Sequence, residues 1–320
     1  MGSKPLLRPP RLIPGSRIGL IAPAGPLLER DDLTRAEALC RALGYEPVLG
    51  QSAYNRQGYL AGTDEERVGD LNRVLQDPTM HAAWCIRGGY GVTRLLDRVD
   101  YGAMERQPKA LIGFSDISAL LNAVTTATGV VTFHGPVARA SMPGFSRRHF
   151  ERVLASAGPA GRLDRVPQSA DVLISQEHRI VSLRGGTAEG PLFGGNLTLL
   201  QCLIGTPWFP NLRGAILFLE DAGEQLYRVD RMLAHLRAVG AFSGLAGVII
   251  GRFTELDRAG QDGALGYDEV LTTYFGPLGI PAAYGFPIGH LDEQWTLPLG
   301  VRARLDAHAG EVELLETAVT

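Results

Sequence analysis

Three side chains that could act together in acyl transfer each stand where a predicted strand ends. The first is Ser115, which follows the predicted strand 109–113 and precedes an apolar helical pattern over 116–127. A serine in such a sharp strand-to-helix turn exposes its hydroxyl beside the free N–H groups of the helix start. The alternative is that Ser115 only caps the helix, because serine is a favoured N-cap residue. The nucleophile-elbow pattern GxSxG is also incomplete, since Ile117 occupies the place of its second glycine.

The second side chain is Glu220, which comes directly after the apolar run 215–219. Open α/β sheets carry their functional groups at the carboxyl ends of the strands, so this carboxylate is well placed for chemistry. Asp221 and Glu224 are rival carboxylates in the same segment. A further alternative is that Glu220 is an acid at the start of a helix, where the helix dipole favours negative charge.

The third side chain is His290, in a Gly/Pro loop after the predicted strand 282–286. Of the seven histidines, only His134 and His290 follow strands in loops of this composition. A serine hydroxyl is a poor nucleophile near neutral pH until a base takes its proton, and imidazole can accept and return that proton. A carboxylate fixes the tautomer of the imidazole and stabilises the imidazolium. Together the three residues indicate a hydrolase with a Ser–Glu–His triad.

A glycine-rich turn, Arg87-Gly88-Gly89-Tyr90-Gly91, follows the predicted strand 82–86 and precedes a segment predicted to be helical. Its backbone N–H groups could provide half of an oxyanion hole or hold a phosphate. The turn matches neither GxGxxG nor a Walker A loop, which argues against the nucleotide hypothesis. An ordinary tight turn is the third alternative.

Short strands alternate with helices in the first part of the chain, which predicts a mostly parallel α/β sheet. The predicted strands are 18–22, 46–49, 82–86, 109–113 and 130–133, and the predicted helices are 31–43, 63–76 and 116–127. The middle of the chain, 143–180, is rich in Arg, Ser, Ala and Pro, so we expect a linker there with one short helix over 147–155.

A second set of elements follows the predicted linker. The predicted strands are a pair within 183–195, then 215–219, 246–250, 282–286 and a strand or hairpin edge over 297–305, and the predicted helices are 196–204, 227–239 and 268–275. We therefore predict an amino-terminal α/β domain over 1–142, a linker over 143–180 and a carboxyl-terminal α/β domain over 181–320. On this division Ser115 belongs to the first domain, and Glu220 and His290 belong to the second.

The composition excludes several functional classes. Lysine plus arginine is 31 and aspartate plus glutamate is 34, giving a net charge of −3 without a basic stripe, so we expect no nucleic-acid partner. The apolar run 245–250 is too short for a membrane helix, so we expect no membrane partner. The three cysteines lie far apart, which predicts neither a disulfide framework nor a zinc site. The apolar run 18–21 is too short for a signal peptide and is followed by Gly and Pro, so we expect a cytoplasmic protein.

Eight segments, taken in order over about residues 17 to 305, carry a family resemblance. They are Ala22-Pro23-Ala24-Gly25-Pro26, Arg87-Gly88-Gly89-Tyr90-Gly91, Gly113-Phe114-Ser115-Asp116-Ile117, His134-Gly135-Pro136, Gly194-Gly195-Asn196-Leu197, Phe218-Leu219-Glu220-Asp221, the run from Tyr227 to Leu233, and Gly289-His290. This ordered set resembles the LD-carboxypeptidase family of serine peptidases, which also contains the microcin C immunity peptidases. One departure is Phe114, where Tyr is more familiar; this changes packing but should not change the reaction.

The resemblance implies two α/β domains, the first a doubly wound, mostly parallel sheet and the second a mixed sheet, with the active site at their interface. It implies Ser115 as nucleophile, His290 as general base and acid, and Glu220 as the orienting carboxylate. The backbone N–H groups of Gly89 and Asp116 would form the oxyanion hole. The resemblance implies no metal and no organic cofactor. It also implies a homodimer. The implied substrate is a murein tetrapeptide, free or on a muropeptide, from which the terminal D-alanine is released.

The sequence is also compatible with two other functions. A related peptidase could cleave aminoacyl- or peptidyl-nucleotide antibiotics, which requires an aromatic platform; Trp208, Trp295 and Tyr90 are the candidates. A non-catalytic binder of small molecules would need neither the serine nor the histidine.

Substrate-binding residues are harder to choose. Tyr90 is one candidate, and Asn196 is another, whose amide could orient substrate or simply cap a helix. An arginine is the natural partner for the terminal carboxylate of a peptide. Lys4 and Lys109 are the only lysines, so 29 of the 31 basic residues are arginine. No pattern in the sequence distinguishes one of these arginines from the others. The absence of an SxxK motif argues against a carboxypeptidase of the penicillin-binding type.

Overall fold

The structure, a computed structural model, describes residues 4–29, 31–167, 179–256 and 265–320. In chain order, the strands are β1 (Arg17–Ile21), β2 (Glu46–Leu49), β3 (Ala82–Cys85), β4 (Ala110–Gly113), β5 (Phe133–His134), β6 (Gly161–Arg162), β7 (Val181–Arg184), β8 (Thr187–Asn196), β9 (Ile216–Ala222), β10 (Gly247–Thr254), β11 (Ala282–Tyr284), β12 (Leu297–Pro298), β13 (Arg302–Asp306) and β14 (Glu311–Leu314). The helices are α1 (Asp31–Ala42), α2 (Asp64–Gln76), α3 (Tyr101–Arg106), α4 (Ile117–Thr128), α5 (Gly144–Leu154), α6 (Leu197–Cys202), α7 (Leu226–Ala238) and α8 (Tyr267–Phe275).

The first sheet has the strand order β12-β5-β4-β3-β1-β2 and is parallel except for β12. Strands β3 and β4 are buried along their whole length, as expected for parallel strands covered on both faces. Helix α2 begins at the predicted capping box, in which the Glu66 N–H donates to Thr63 Oγ1 at 3.2 Å and the Thr63 N–H donates to Glu66 Oε2 at 2.7 Å. The mostly parallel sheet predicted for the first part of the chain is confirmed.

The second sheet has the order β6-β14-β13-β8-β9-β10-β11-β7. Its centre, β8 to β11, is parallel, and the flanking strands run antiparallel, so the sheet is mixed as expected. The strands predicted within 183–195 are β7 and β8, but they do not pair with each other. Strand β7 pairs with β11, whereas β8 lies between β13 and β9.

The segment predicted as a linker is largely part of the folded body. Helix α5 buries Phe150, whose ring stacks on Trp84 with centroids 5.0 Å apart, and β6 pairs with β14. Leu163 and Val166 are buried in the same apolar core. These contacts are made with distant parts of the chain, so the local pattern of the segment does not reveal them. The remainder of the predicted linker, 168–178, lies outside the described residues.

The two sheets are joined by more than the chain between them. The region 297–305, predicted as one strand or hairpin edge, contains β12 and β13, which belong to different sheets. Strand β12 pairs with β5 at the edge of the first sheet, and the Thr320 N–H donates to the Pro9 carbonyl at 3.0 Å. Within the described ranges, no helix combines the length and apolar character needed to cross a bilayer.

Candidate active site

Ser115 stands in a sharp turn between β4 and α4, as predicted. Its φ is +64°, in the left-handed region that a non-glycine residue adopts only at a special turn. Helix α4 begins at Ile117 with Asp116 as its N-cap, so the alternative that Ser115 is the helix cap is wrong. The turn lifts the serine hydroxyl out of the sheet at the carboxyl end of β4.

A chain of two hydrogen bonds joins the three side chains singled out from the sequence. His290 Nε2 lies 3.1 Å from Ser115 Oγ, and His290 Nδ1 lies 2.8 Å from Glu220 Oε2. The histidine is therefore held between hydroxyl and carboxylate, with one ring nitrogen directed at each. This is the geometry in which imidazole can take a proton from a serine while the carboxylate fixes its tautomer.

Glu220 is fully buried, at 0% exposure, and lies within β9 rather than after it. Helix α7 begins only at Leu226, so the alternative of a helix-terminal acid is wrong. The residue before the histidine, Gly289, has φ of +106°, and a Cβ there would lie 2.5 Å from Glu220 Oε2. Glycine at this position lets the His290 loop approach the carboxylate closely.

The rival carboxylates serve other contacts. Asp221 accepts hydrogen bonds from Asn196 Nδ2 and from the hydroxyl of Thr198, each at 2.8 Å. Glu224 lies 3.9 Å from the guanidinium of Arg228. Of the three candidates, Glu220 is the one hydrogen-bonded to the histidine.

The electrostatics of the pair favour a basic imidazole. Burial works to lower the pKa of His290, but the hydrogen bond and the charge of Glu220 outweigh it, so the pKa is raised. Burial raises the pKa of Glu220, and its hydrogen bond and attraction to the imidazole oppose that rise. An imidazolium formed during proton transfer would thus be stabilised directly by this carboxylate.

The glycine-rich turn packs against the serine. A Cβ added at Gly88 would lie 2.8 Å from Ser115 Cβ and 3.0 Å from its Oγ, so only glycine fits. In the described part of the chain, the N–H groups of Gly89 and Asp116 have no protein acceptor. The segment after the turn is a short 3₁₀ turn, Val92–Arg94, and not the predicted helix. The phosphate alternative therefore lacks the helix N-terminus it relied on.

Asp116 ties this turn to the start of α4. Its Oδ2 accepts the Val92 N–H at 2.9 Å, and the side chain is buried. Burial raises the pKa of Asp116 to about 6. The carboxylate therefore fixes the position of the glycine-rich turn relative to the serine.

The other predicted site residues lie in different environments. Tyr90 is 49% exposed and packs edge-on against the ring of Tyr59, with centroids 5.5 Å apart. Asn196 is 3% exposed and accepts the Leu199 N–H at 3.2 Å, so the helix-cap alternative is confirmed and little of its surface is left for substrate. Trp295 is buried, which removes it as an aromatic platform.

Three residues that sequence reasoning did not assign lie close to this centre. The ring of Phe114 packs edge-on against His290, with centroids 4.9 Å apart. His134, which the sequence singled out only as a loop histidine, is fully buried, and burial lowers its pKa to about 3, so it stays neutral. Arg139 lines a cavity of about 580 Å³ beside His290, and no local pattern in the sequence marks it. Within the described ranges, no group of three His, Cys, Asp or Glu side chains could hold a metal ion.

Comparisons with known proteins identify the family of this chain. The family model described as the LD-carboxypeptidase N-terminal domain matches residues 18–135, and the one described as the LD-carboxypeptidase C-terminal domain matches residues 189–305. The murein tetrapeptide carboxypeptidase of Pseudomonas aeruginosa is 35% identical over 91% of this chain and 94% of its own length.

Solved structures show the same similarity. The microcin C7 self-immunity protein MccF superposes with a TM-score of 0.88 at 27% identity, covering 98% of this chain and all of MccF. The muramoyltetrapeptide carboxypeptidase of Oxalobacter formigenes superposes with a TM-score of 0.79 at 31% identity, covering 93% of this chain and 98% of that one. The matches extend through both sheets, and the chain belongs to the LD-carboxypeptidase family of serine peptidases.

Proposed function

We propose that this protein hydrolyses the amide between an L-configured centre, that of meso-diaminopimelate, and the terminal D-alanine of murein tetrapeptides. The observation that carries the proposal is the hydrogen-bond chain from Ser115 through His290 to Glu220. The relatives named for murein peptides supply the substrate class. In this proposal the enzyme is a cytoplasmic homodimer that acts in cell-wall recycling.

The reaction begins when Ser115 Oγ attacks the carbonyl carbon of the scissile amide. His290 Nε2 accepts the hydroxyl proton, and Glu220 holds the Nδ1–H and stabilises the imidazolium. The negative charge that develops on the carbonyl oxygen is received by the N–H groups of Gly89 and Asp116. Loss of one such donor typically raises the activation barrier by about 2.7–4 kcal/mol. The Gly89 N–H of the glycine-rich turn would therefore stabilise the transition state as much as a side-chain donor does.

The second half of the reaction returns the enzyme to its starting state. The imidazolium of His290 gives its proton to the nitrogen of D-alanine, the C–N bond breaks, and an ester on Ser115 is left. Water then attacks this ester as His290 takes one of its protons. The acid product leaves when that proton returns to the serine oxygen.

The division of labour follows the two predicted domains. Residues 1–142 carry the nucleophile and both oxyanion donors, whereas residues 181–320 carry Glu220 and His290. One contact between the two parts is the hydrogen bond between Ser115 and His290, and another is the pairing of β12 with β5. We place the substrate-binding cleft at this junction.

A second candidate function is cleavage of aminoacyl- or peptidyl-nucleotide antibiotics. It is favoured by the close superposition on MccF, one structure of which holds glutamyl sulfamoyl guanosine. Against it, Trp295 is buried, and Trp208 is half-buried against the core, so neither tryptophan offers an open aromatic platform. The third candidate, Tyr90, is 49% exposed, with its ring edge-on to Tyr59.

One experiment separates these functions. The purified protein is incubated with a murein tetrapeptide and, separately, with an aminoacyl sulfamoyl adenosine, and products are identified by mass. We expect loss of D-alanine from the tetrapeptide, and a decrease of at least about 10⁴-fold in Ser115→Ala with the fold unchanged. The exposed Ser156→Ala serves as the matched control. Cleavage of the adenosine compound alone would favour the second function, and binding without cleavage of either would favour a non-catalytic binder.

A further inference from the structure

The cavity beside His290 is lined by one positively charged side chain, Arg139, and one negatively charged side chain, Asp292. Its volume is about 580 Å³, and its walls include Phe114, Pro136, Arg139, His290 and Asp292. His290 Nε2 must pass its proton to the departing amine in the proposed reaction, so the departing residue must lie on the side of the serine that faces this histidine. This cavity is therefore the place for the residue that leaves.

The backbone of Arg139 runs along the same sheet edge as the nucleophile. The Gly135 N–H donates to the Gly113 carbonyl at 3.1 Å, two residues before Ser115. The Arg139 N–H donates to the Ile86 carbonyl at 3.3 Å, at the start of the glycine-rich turn. These bonds place Arg139 at the carboxyl end of β3 and β4.

The guanidinium of Arg139 forms an ion pair with the buried carboxylate of Asp32. Its Nη1 lies 3.6 Å from Oδ1 of Asp32, a buried carboxylate that also accepts the Leu28 N–H at 2.9 Å and the Glu29 N–H at 3.2 Å. Burial works to raise the pKa of Asp32, but these hydrogen bonds and the charges of Arg139 and Arg35 lower it overall. The carboxylate is thus ionised at neutral pH and holds the arginine in place.

The ion pair with Asp32 leaves N–H groups of the guanidinium free. Nε of Arg139 is buried, but the side chain as a whole is 34% exposed, lines the cavity and donates no hydrogen bond to another residue in the described part of the chain. A guanidinium has five N–H donors in a planar fork, a shape that matches a carboxylate. Asp292 in the same cavity adds a negative charge, so a carboxylate would not enter without a cation to receive it.

We propose that Arg139 binds the α-carboxylate of the residue that is released and so restricts cleavage to the last peptide bond of the substrate. The inference rests on the proposed carboxypeptidase function and deepens it. A peptide that continued past this residue would present a neutral amide to Arg139, and the charge-assisted hydrogen bonds to a carboxylate would be lost.

The test compares two synthetic murein tetrapeptides, one ending in free D-alanine and one in its carboxamide. We expect the wild-type protein to prefer the free acid by at least about tenfold in kcat/KM, mainly through KM, as for a hydrogen-bonded charge pair. Arg139→Met should lower kcat/KM for the free acid by about 10- to 100-fold and leave the carboxamide within about threefold, so that the preference disappears. Arg139→Lys should keep part of the preference, because it keeps the charge but not the fork.

Arg35 provides the matched control, because it binds the same Asp32 carboxylate at 3.2 Å but is half-exposed and does not line the cavity. Arg35→Met should retain the wild-type preference. An unchanged preference in Arg139→Met, or equal cleavage of both peptides by wild type, overturns the inference. If Arg139→Met does not fold, an unchanged preference in Arg139→Lys has the same meaning. If wild type releases neither D-alanine from the free acid nor D-alaninamide from the carboxamide, the proposed function is refuted instead.

Discussion

Substituting Gly88 by alanine should disable the enzyme without unfolding it. The new methyl would lie 2.8 Å from Ser115 Cβ, and carbon atoms normally rest at about 3.5 Å or more, so the two must separate by about 0.7 Å. If Ser115 moves away from His290 by that amount, their 3.1 Å hydrogen bond lengthens to about 3.8 Å and is lost. A misplacement near 1 Å lowers rates by about 10²-fold, or about 2.7 kcal/mol. If the turn moves instead, Gly89 leaves the oxyanion position at a comparable cost.

The assay is steady-state release of D-alanine, with thermal unfolding of the same samples. We expect kcat of Gly88→Ala to fall by about 10²-fold with KM little changed, because the damage is to the reacting atoms. Gly69→Ala is the matched control, since Gly69 lies in α2 with open space around it, and alanine favours a helix. A Gly88→Ala enzyme with activity within about threefold of wild type would show that the turn does not support the nucleophile in this way.

Three further predictions concern protonation and reactivity. Glu220→Gln should lower the pKa of His290, because the hydrogen bond and charge of Glu220 raise it. The acidic limb of the pH profile of kcat/KM should therefore move to lower pH, and the maximum of kcat/KM should fall by about 10⁴-fold. An acidic limb at the wild-type position would contradict this. Mass spectrometry after incubation with penicillin should find no stable acyl-enzyme on Ser115, because the chain lacks the SxxK motif of penicillin-binding carboxypeptidases. A stable adduct on Ser115 would contradict the predicted insensitivity to β-lactams. Burial raises the pKa of Asp116 to about 6, so ionisation of this carboxyl is disfavoured in the folded state. The free energy of unfolding of wild type, relative to that of Asp116→Asn, should therefore fall by up to about 3 kcal/mol as pH rises from about 4 to 7. Denaturant unfolding of both proteins at the two pH values measures the difference.

Local signals predicted much of the secondary structure. The capping box at Thr63 fixes the start of α2, and the predicted bounds of β2 match those observed. The strand predicted over 130–133 is displaced, since β5 covers only Phe133–His134. The linker prediction failed for a different reason. Strand β6 has only two residues and pairs with β14, about 150 positions further on, so no periodicity in 143–180 could reveal it.

The candidate site was predictable where strand ends determine it. Ser115 follows β4 of the first sheet, whereas Glu220 lies near the end of β9 and His290 follows β11 in the second sheet. The carboxyl ends of parallel strands mark each residue as a candidate, but the rule does not predict that the ends of two different sheets meet. Distances of a few tenths of an ångström were not predictable. Nothing in the sequence states that Gly88 touches the serine. Arg139 is one of 29 chemically similar arginines until Asp32 and the cavity distinguish it.

The pairing of β12 with β5 has a consequence for how this enzyme can be divided. A fragment ending anywhere before Leu297 would lack the outermost strand of the sheet that carries the serine, leaving the backbone edge of β5 bare. The sheet that carries Ser115 is therefore completed only by sequence that lies beyond His290. Domain exchange or split-reporter designs that cut the chain between the two predicted domains would separate β12 from its own sheet. Such designs need to keep β5 and β12 on the same piece.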